Sequence, residues 1–259
     1  TGLASSRPDL SVWVITGDGD SLSIGGNHLI HALRRNVNIK ILLFNNQIYG
    51  LTKGQYSPTS EQGKITKSTP FGSLDTPFNP VSLALGAEAS FVARSIDSDR
   101  QHLTSVLRAA ADHRGAAFIE IYQNCPIFND DAFAPLKDAS SRDDQLIRLA
   151  DGEPIRFGAG GGRGLRVGRY GALEAADVEG ADPASLLTHD AGQVDPSYAF
   201  AMSRLDNSDI PATPIGVFRK VERPSYDALM TDQLTEAKNK QGEGDLAALL
   251  SGGDSWKIG

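Results

Sequence analysis

The stretch Val12-Trp13-Val14-Ile15-Thr16-Gly17-Asp18-Gly19-Asp20 joins a short apolar run to a turn of glycine and aspartate. A second apolar run, Ile39-Lys40-Ile41-Leu42-Leu43-Phe44, ends in the same manner at Asn45-Asn46. The segment between them carries apolar residues at helical spacing, so the pattern predicts a strand, a helix and a second strand. The carboxyl ends of parallel strands border the crevice where open α/β sheets bind ligands, which makes both polar turns a candidate site.

The chemistry of the two turns favours a diphosphate held through one divalent cation. Asp18 offers an anionic oxygen, Asn46 an amide oxygen, and the carbonyl of Ile48 a third oxygen. Mg²⁺ prefers an octahedron of such oxygens, and it takes part of that octahedron from phosphate and water. Gly17 and Gly19 allow the backbone to approach a diphosphate closely, and the helix start beyond them adds backbone N–H groups.

A Gly-Asp-Gly followed by Asn-Asn, with 28 positions from Asp18 to Asn46, resembles the pattern of thiamine diphosphate enzymes. Two longer runs are more specific and resemble the β subunit of 2-oxoacid:ferredoxin oxidoreductases, the 2-oxoglutarate branch above all. They are Ser23-Ile24-Gly25-Gly26-Asn27-His28 and Gln47-Ile48-Tyr49-Gly50-Leu51-Thr52-Lys53-Gly54-Gln55-Tyr56-Ser57-Pro58-Thr59-Ser60. The similarity is strong over residues 1–135 and looser beyond.

The resemblance implies specific roles for the site residues. Asp18, Asn46 and the carbonyl of Ile48 would bind Mg²⁺. The residues lining the thiamine diphosphate would be Gly17, Gly19, Asp20, Gly50, Leu51 and Thr52. His28 and Lys53 are candidate substrate contacts, with a structural histidine and a solvated lysine as the alternatives.

Cys125, in Asn124-Cys125-Pro126 after a predicted strand, resembles the family position that supplies the last thiolate to a [4Fe–4S] cluster. Such a cluster needs four thiolates, and this chain has one cysteine. The family carries the other thiolates upstream, and the opening Thr1-Gly2-Leu3-Ala4 is unusual for the start of a domain. We therefore expect further residues before Thr1.

The implied activity is the oxidative decarboxylation of a 2-oxoacid, 2-oxoglutarate first, to acyl-coenzyme A and CO₂, with electrons passed to ferredoxin. The carboxylate that activates the aminopyrimidine ring would come from an α subunit, so this chain would form half of an active site. Three alternatives stay open: a pyruvate-specific member of the family, a non-oxidative thiamine decarboxylase or synthase subunit, and a non-catalytic phosphate-binding module.

Composition narrows the remaining function classes. A net charge of −7 argues against an electrostatic nucleic-acid binder, and no apolar run approaches the ~20 residues of a membrane span. With one cysteine and no secretory signal, a reduced cytoplasmic setting is expected. The sequence does not support an EF-hand calcium loop, because Ser23 falls where that loop needs glycine.

The periodicity predicts an α/β fold, a parallel sheet flanked by helices, with a smaller C-terminal α+β extension. The predicted domains are 1–135 for thiamine diphosphate binding, 136–164 as a linker or exposed hairpin, and 165–259 as the extension. The predicted strands are 11–16 (buried), 38–44, 91–95 and 116–122, and the predicted helices are 25–35, 80–87, 99–114, about 195–204, and 225–250 with breaks at Gly242 and Gly244. The long loop 45–79 is predicted to be functional.

Overall fold

The computed structural model describes residues 1–205, 210–252, 256 and 258. Its strands are β1 (Trp13–Gly17), β2 (Lys40–Asn45), β3 (Phe91–Ile96), β4 (Ala117–Tyr122), β5 (Leu146–Leu149), β6 (Arg156–Phe157), β7 (Arg163–Val167), β8 (Leu173–Asp177) and β9 (Thr213–Lys220). Its helices are α1 (Gly2–Ser6), α2 (Asp18–Leu22), α3 (Gly26–Arg34), α4 (Pro80–Gly86), α5 (Arg100–Asp112), α6 (Ala134–Lys137), α7 (Arg142–Gln145), α8 (Ser197–Ser203), α9 (Tyr226–Gln241) and α10 (Leu246–Ser251).

The main sheet has six strands in the order β1-β2-β4-β3-β9-β5. The first four are mutually parallel, β9 runs antiparallel to β3, and β5 is parallel to β9. The predicted α/β fold is thus confirmed, with one antiparallel junction that the prediction of a parallel sheet did not contain. Strand β9 follows β8 and α8 in the chain, so no local pattern could indicate its position beside β3.

Two apolar layers cover the faces of the main sheet. One contains Leu33 and Leu43 with Val81, Leu85 and Phe118, and extends to α8. The other packs α5, through Val106 and Ala110, against Phe91, Ile119 and Ile121. Side chains from successive positions of β4 therefore enter opposite layers, as the alternation along a strand requires.

The prediction that residues 11–16 form a buried strand is wrong in one respect. β1 is the edge strand of the main sheet, and Ile15 is 64% exposed. A short apolar run does not distinguish an edge strand from a central one, because both have the same length and composition.

The division into domains stays a prediction. Within the segment 136–164, β5 is a strand of the main sheet whose Leu146 and Ile147 are buried. β6 and β7 form an antiparallel pair across the glycine-rich turn, and β8 completes a second sheet of three strands. The main sheet therefore draws strands from both sides of residue 136.

Candidate cofactor site

Strands β1 and β2 end side by side. Gly17 is paired with Phe44, so Asp18 and Asn45 leave the sheet together at its carboxyl edge. Asp18 then opens α2, and Asn45 is the last residue of β2. The strand register alone therefore brings the two polar turns of the sequence into one place.

The Asp18 carboxylate is buried, with 2% of its surface exposed. Its Oδ2 accepts hydrogen bonds from the hydroxyls of Ser57, at 2.5 Å, and Thr59, at 2.6 Å. Burial raises the pKa of Asp18, and the bonds from Ser57, Thr59 and the backbone of Asn46 oppose that rise. None of the ion pairs in the described residues includes Asp18. The site is therefore a buried anion without a cationic side chain.

The two asparagines of the second turn face different surroundings. The Asn45 amide donates to Glu120 Oε1 at 2.7 Å, in the interior. Asn46 Oδ1 accepts from the backbone N–H of Ile48 at 3.3 Å, and Asn46 Nδ2 donates to Gln123 Oε1 at 3.2 Å. Since the backbone of Asn46 also hydrogen-bonds Asp18, the structure brings these two predicted metal ligands together, with Ile48 two residues further along.

This donor set is suited to a hard cation. Carboxylate, amide and carbonyl oxygens are ligands that Mg²⁺ prefers, and it completes its octahedron with phosphate and water. Within the residues that the structure describes, no group of three or more His, Cys, Asp or Glu side chains could hold a metal ion. A cation here would therefore depend on one carboxylate, neutral oxygens and the ligand's own phosphates.

The glycines of the first turn permit close packing. A Cβ atom on Gly19 would lie 2.2 Å from Cε1 of Tyr49, whose hydroxyl donates to the Gly19 carbonyl at 2.9 Å. The Tyr49 ring thus lies directly on the backbone of the turn and fixes its distance from the second turn. Gly17 and Gly50 are half-buried, and Asp20 is exposed.

Most of the other predicted contacts lie on the surface. Leu51, Thr52 and Lys53 are exposed at the tip of a turn, which is closed by the Tyr49 N–H donating to the Gln55 carbonyl at 2.8 Å. His28 is exposed in the first turn of α3. Their contacts with a cofactor or substrate stay predictions.

Cys125 is a half-buried free thiol after β4. Asn129, in the same turn, donates its backbone N–H to the Cys125 carbonyl at 2.9 Å and its Nδ2 to the Asn46 carbonyl at 2.9 Å. Phe128 packs against Gly54, since a Cβ atom there would lie 3.0 Å from its ring. The cysteine turn is therefore attached to the loop that carries the predicted metal and cofactor contacts.

Four residues of the site had no predicted role: Ser57, Thr59, Arg94 and Glu120. The loop after β2 folds back so that the first two meet Asp18, and the other two form a buried ion pair with Nε and Oε2 2.7 Å apart. The polar run Ser57–Ser60 inside a long loop was the available signal for the hydroxyls. Nothing in the local pattern distinguishes Arg94 and Glu120 from solvated charges within strands.

Comparison with known proteins identifies the family. The family described as "Thiamine pyrophosphate enzyme, C-terminal TPP binding domain" matches residues 1–121. The chain is 58% identical over its whole length to "2-oxoglutarate oxidoreductase subunit KorB" of Mycobacterium tuberculosis, of which it covers 69%. This chain belongs to the KorB family of 2-oxoacid oxidoreductase subunits. The match to a thiamine pyrophosphate-binding domain supports thiamine diphosphate as the cofactor of this KorB-family chain, as the resemblance predicted.

Two further matches agree with this assignment. Half of the chain is 45% identical to "2-oxoacid:ferredoxin oxidoreductase subunit beta" of Sulfolobus sp, covering 43% of that protein. A solved structure, "2-oxoglutarate:ferredoxin oxidoreductase from Magnetococcus marinus with 2-oxoglutarate, coenzyme A and succinyl-CoA bound", matches with a TM-score of 0.68 and 27% identity, covering 96% of this KorB-family chain and 70% of that one.

Among the helices that the structure describes, none has both the length and the apolar composition that a membrane span requires.

Proposed function

We propose that this chain is the thiamine diphosphate-binding β subunit of a 2-oxoglutarate:ferredoxin oxidoreductase, active with an α subunit in a reducing cytoplasmic setting. The observation that carries the proposal is the buried Asp18 carboxylate beside Asn46 at the carboxyl ends of two parallel strands. A buried carboxylate without an ion-pair partner is costly, and a bound Mg²⁺ would offset that cost. The identity to KorB of Mycobacterium tuberculosis supports the choice of substrate.

The residues of this chain would act mainly by binding and positioning. Asp18, Asn46 and the Ile48 carbonyl would hold the cation, and Gly17, Gly19, Asp20, Gly50, Leu51 and Thr52 would line the diphosphate. When bound, thiamine diphosphate supplies a carbon nucleophile for the keto carbon and an electron sink for loss of CO₂. His28 and Lys53, both exposed at this edge of the fold, would meet the substrate.

Cys125 would supply one thiolate of a [4Fe–4S] cluster, with three more from outside this chain's 259 residues. The hydrogen bond from Asn129 to the Asn46 carbonyl supports this assignment, because it keeps the cysteine turn next to the cofactor loop. Such a cluster would accept electrons close to where decarboxylation releases them and pass them to ferredoxin.

The test begins with cofactor binding. Titration calorimetry of the full-length subunit with thiamine diphosphate should give binding that depends on Mg²⁺, whereas a non-catalytic phosphate module would bind it no better than inorganic pyrophosphate. With the α subunit and ferredoxin, coenzyme A-dependent turnover should be faster with 2-oxoglutarate than with pyruvate. CO₂ release without an electron acceptor would instead indicate a non-oxidative enzyme, and turnover by the isolated chain would contradict the shared active site.

A further inference from the structure

The Arg94–Glu120 ion pair lies in the interior, behind the proposed metal site. Arg94 is 1% exposed and Glu120 is 0% exposed. Their strands, β3 and β4, are adjacent, and the two residues are direct partners in the register. A buried ion pair adds little net stability compared with well-packed apolar residues, so its stabilising effect alone does not account for its presence.

The pair determines how the Asn45 side chain is oriented. Glu120 Oε1 lies 2.7 Å from Asn45 Nδ2, and a carboxylate can only accept hydrogen bonds. The amide nitrogen of Asn45 must therefore face Glu120, and its oxygen must face the other way. That oxygen, Oδ1, lies 2.9 Å from the hydroxyl of Thr59 and 3.2 Å from the backbone N–H of Gln47.

The oriented amide oxygen of Asn45 in turn restrains both parts of the proposed metal site, namely the Asp18 carboxylate and the Asn46–Ile48 backbone. Thr59 Oγ1 lies 2.6 Å from Asp18 Oδ2, so the Thr59 hydroxyl lies between the amide oxygen and the carboxylate and donates its single proton to one of them at a time. The Gln47 N–H bond holds the backbone between Asn46 and Ile48, and Ser60 donates to the Gln47 carbonyl at 2.6 Å. A continuous series of close polar contacts thus connects Arg94 with Asp18 through Glu120, Asn45 and Thr59.

We infer that Glu120, fixed by Arg94, acts through Asn45 and Thr59 as a positioning residue that holds the Asp18 carboxylate and the Asn46–Ile48 backbone in the arrangement that binds the cation. This inference rests on the proposed cofactor site. Neither Glu120 nor Thr59 needs to touch the metal, and their effect is on its affinity.

The test compares Thr59→Val, which removes the hydroxyl at nearly constant shape, with Thr59→Ser, which keeps it. In the complex of the full-length subunit with its α partner, Thr59→Val should weaken the apparent Mg²⁺ affinity for thiamine diphosphate binding by about tenfold. Thr59→Ser should restore the affinity to within about twofold. At saturating Mg²⁺, kcat of both variants should approach that of the unsubstituted complex, because the residue positions a ligand and does not react.

Glu120→Gln tests the more distant part of the series. It removes the charge that orients Asn45, and it should weaken Mg²⁺ affinity severalfold without abolishing binding. The control is Tyr198→Phe, which deletes a partly buried hydroxyl 2.8 Å from His189 Nδ1, remote in the network from Asp18. This variant should lose some thermal stability with unchanged Mg²⁺ affinity.

Normal Mg²⁺ affinity in folded Thr59→Val would overturn the inference, and so would an equal loss in Tyr198→Phe, which would reveal a general effect of destabilisation. If Glu120→Gln fails to fold, the valine and serine variants at Thr59 still decide. Absence of Mg²⁺-dependent binding in the unsubstituted subunit is a different result, which would refute the proposed cofactor site itself.

Discussion

Two buried polar networks lie at opposite ends of the same parallel strands. They differ in how the charges of their buried ionisable side chains are balanced. The carboxyl-end network consists of Asp18, Asn45, Ser57, Thr59, Arg94 and Glu120. The amino-end network consists of Asn36, Asn38, Lys40, Ser90 and His113. Both are held by hydrogen bonds between residues that are distant in the chain.

The amino-end network is connected mainly to backbone groups. The Lys40 ammonium donates to the carbonyls of His113, at 2.6 Å, and Gly115, at 3.0 Å. Burial lowers the pKa of Lys40 to about 8, and Asp227 opposes this. Asn36 donates to the Arg223 carbonyl at 2.8 Å and accepts from the Ala116 N–H at 2.9 Å. This network joins loops to one another, and we interpret it as structural.

The carboxyl-end network contains a buried carboxylate, Asp18, that forms no ion pair with any cationic side chain among the described residues. Arg94 and Glu120 balance each other, while the hydrogen bonds that Asp18 accepts in the described part of the chain come from hydroxyls and backbone. Burying such a charge costs free energy, which a bound cation could recover. The comparison therefore separates a network that stabilises the fold from one that is completed by a ligand.

The largest expected effect is that of Asp18→Asn, which keeps the shape and removes the charge. We expect Mg²⁺-dependent binding of thiamine diphosphate to weaken by about a thousandfold, roughly 4 kcal/mol, because the amide cannot replace the anionic ligand. The unliganded protein should be no less stable, since a desolvated carboxylate has been removed. Calorimetry and thermal unfolding without ligand measure the two effects. Retained Mg²⁺-dependent binding would remove the distinction between the networks.

The corresponding change at the amino end is Asn36→Ala, with the opposite expectation. It removes hydrogen bonds to four groups at a residue whose φ of 54° suits asparagine better than alanine. We expect the free energy of unfolding to fall by about 3 kcal/mol, as measured by urea denaturation. Cofactor affinity below the melting temperature should not change. A loss of affinity here would mean that the two networks are coupled through the sheet.

The comparison also shows what the sequence can predict. The ends of β1 and β2 were predictable, because an apolar run followed by Gly17-Asp18 or Asn45-Asn46 is a local signal, and parallel pairing then places the two turns together. The helices α3, α4 and α5 were predictable from the spacing of their apolar residues. The structure adds the caps Asn79 and Asp99, whose side chains accept from Ser82 N–H and His102 N–H.

The partners of the buried charges were not predictable. Ser57 and Thr59 reach Asp18 across 39 and 41 positions of sequence, within a loop that has no periodicity to fix its path. Glu120 and Arg94 lie in strands and meet only through the register of β3 and β4. For the same reason the sequence did not indicate the contact of His113 at the amino end, where its ring Nε2 lies 2.7 Å from Ser90 Oγ.

A smaller effect should appear in the pH dependence of stability. Burial, together with the charges of Lys40 and Lys220, lowers the pKa of His113 to about 4 from its ordinary 6.5. Between these values the unfolded chain binds more protons than the folded protein, so stability falls as the pH falls. From pH 7 to pH 5 the loss due to His113 should be about 2 kcal/mol.

Urea denaturation at both pH values should show that this loss shrinks in His113→Gln, which cannot take up the proton. His31→Gln, at an exposed position on α3, is the matched control and should keep the full loss. An unchanged slope in His113→Gln would show that acid acts elsewhere, for example on the carboxyl-end network.

The smallest effect on binding and stability concerns Lys53, which lies at the surface of the carboxyl end and outside its network. Its φ of 73° is tolerated by asparagine, so Lys53→Asn removes the charge with little backbone strain. We expect stability and thiamine diphosphate affinity to change by less than about 0.5 kcal/mol, as at ordinary surface positions. If Lys53 meets a substrate carboxylate, KM for the 2-oxoacid should rise severalfold in the assembled enzyme, with kcat nearly constant. The control is Lys67→Asn, at another exposed lysine of the same long loop, which should leave KM unchanged. Equal effects of the two substitutions on KM would identify Lys53 as a solvated charge that contributes only to the overall electrostatic potential of the protein.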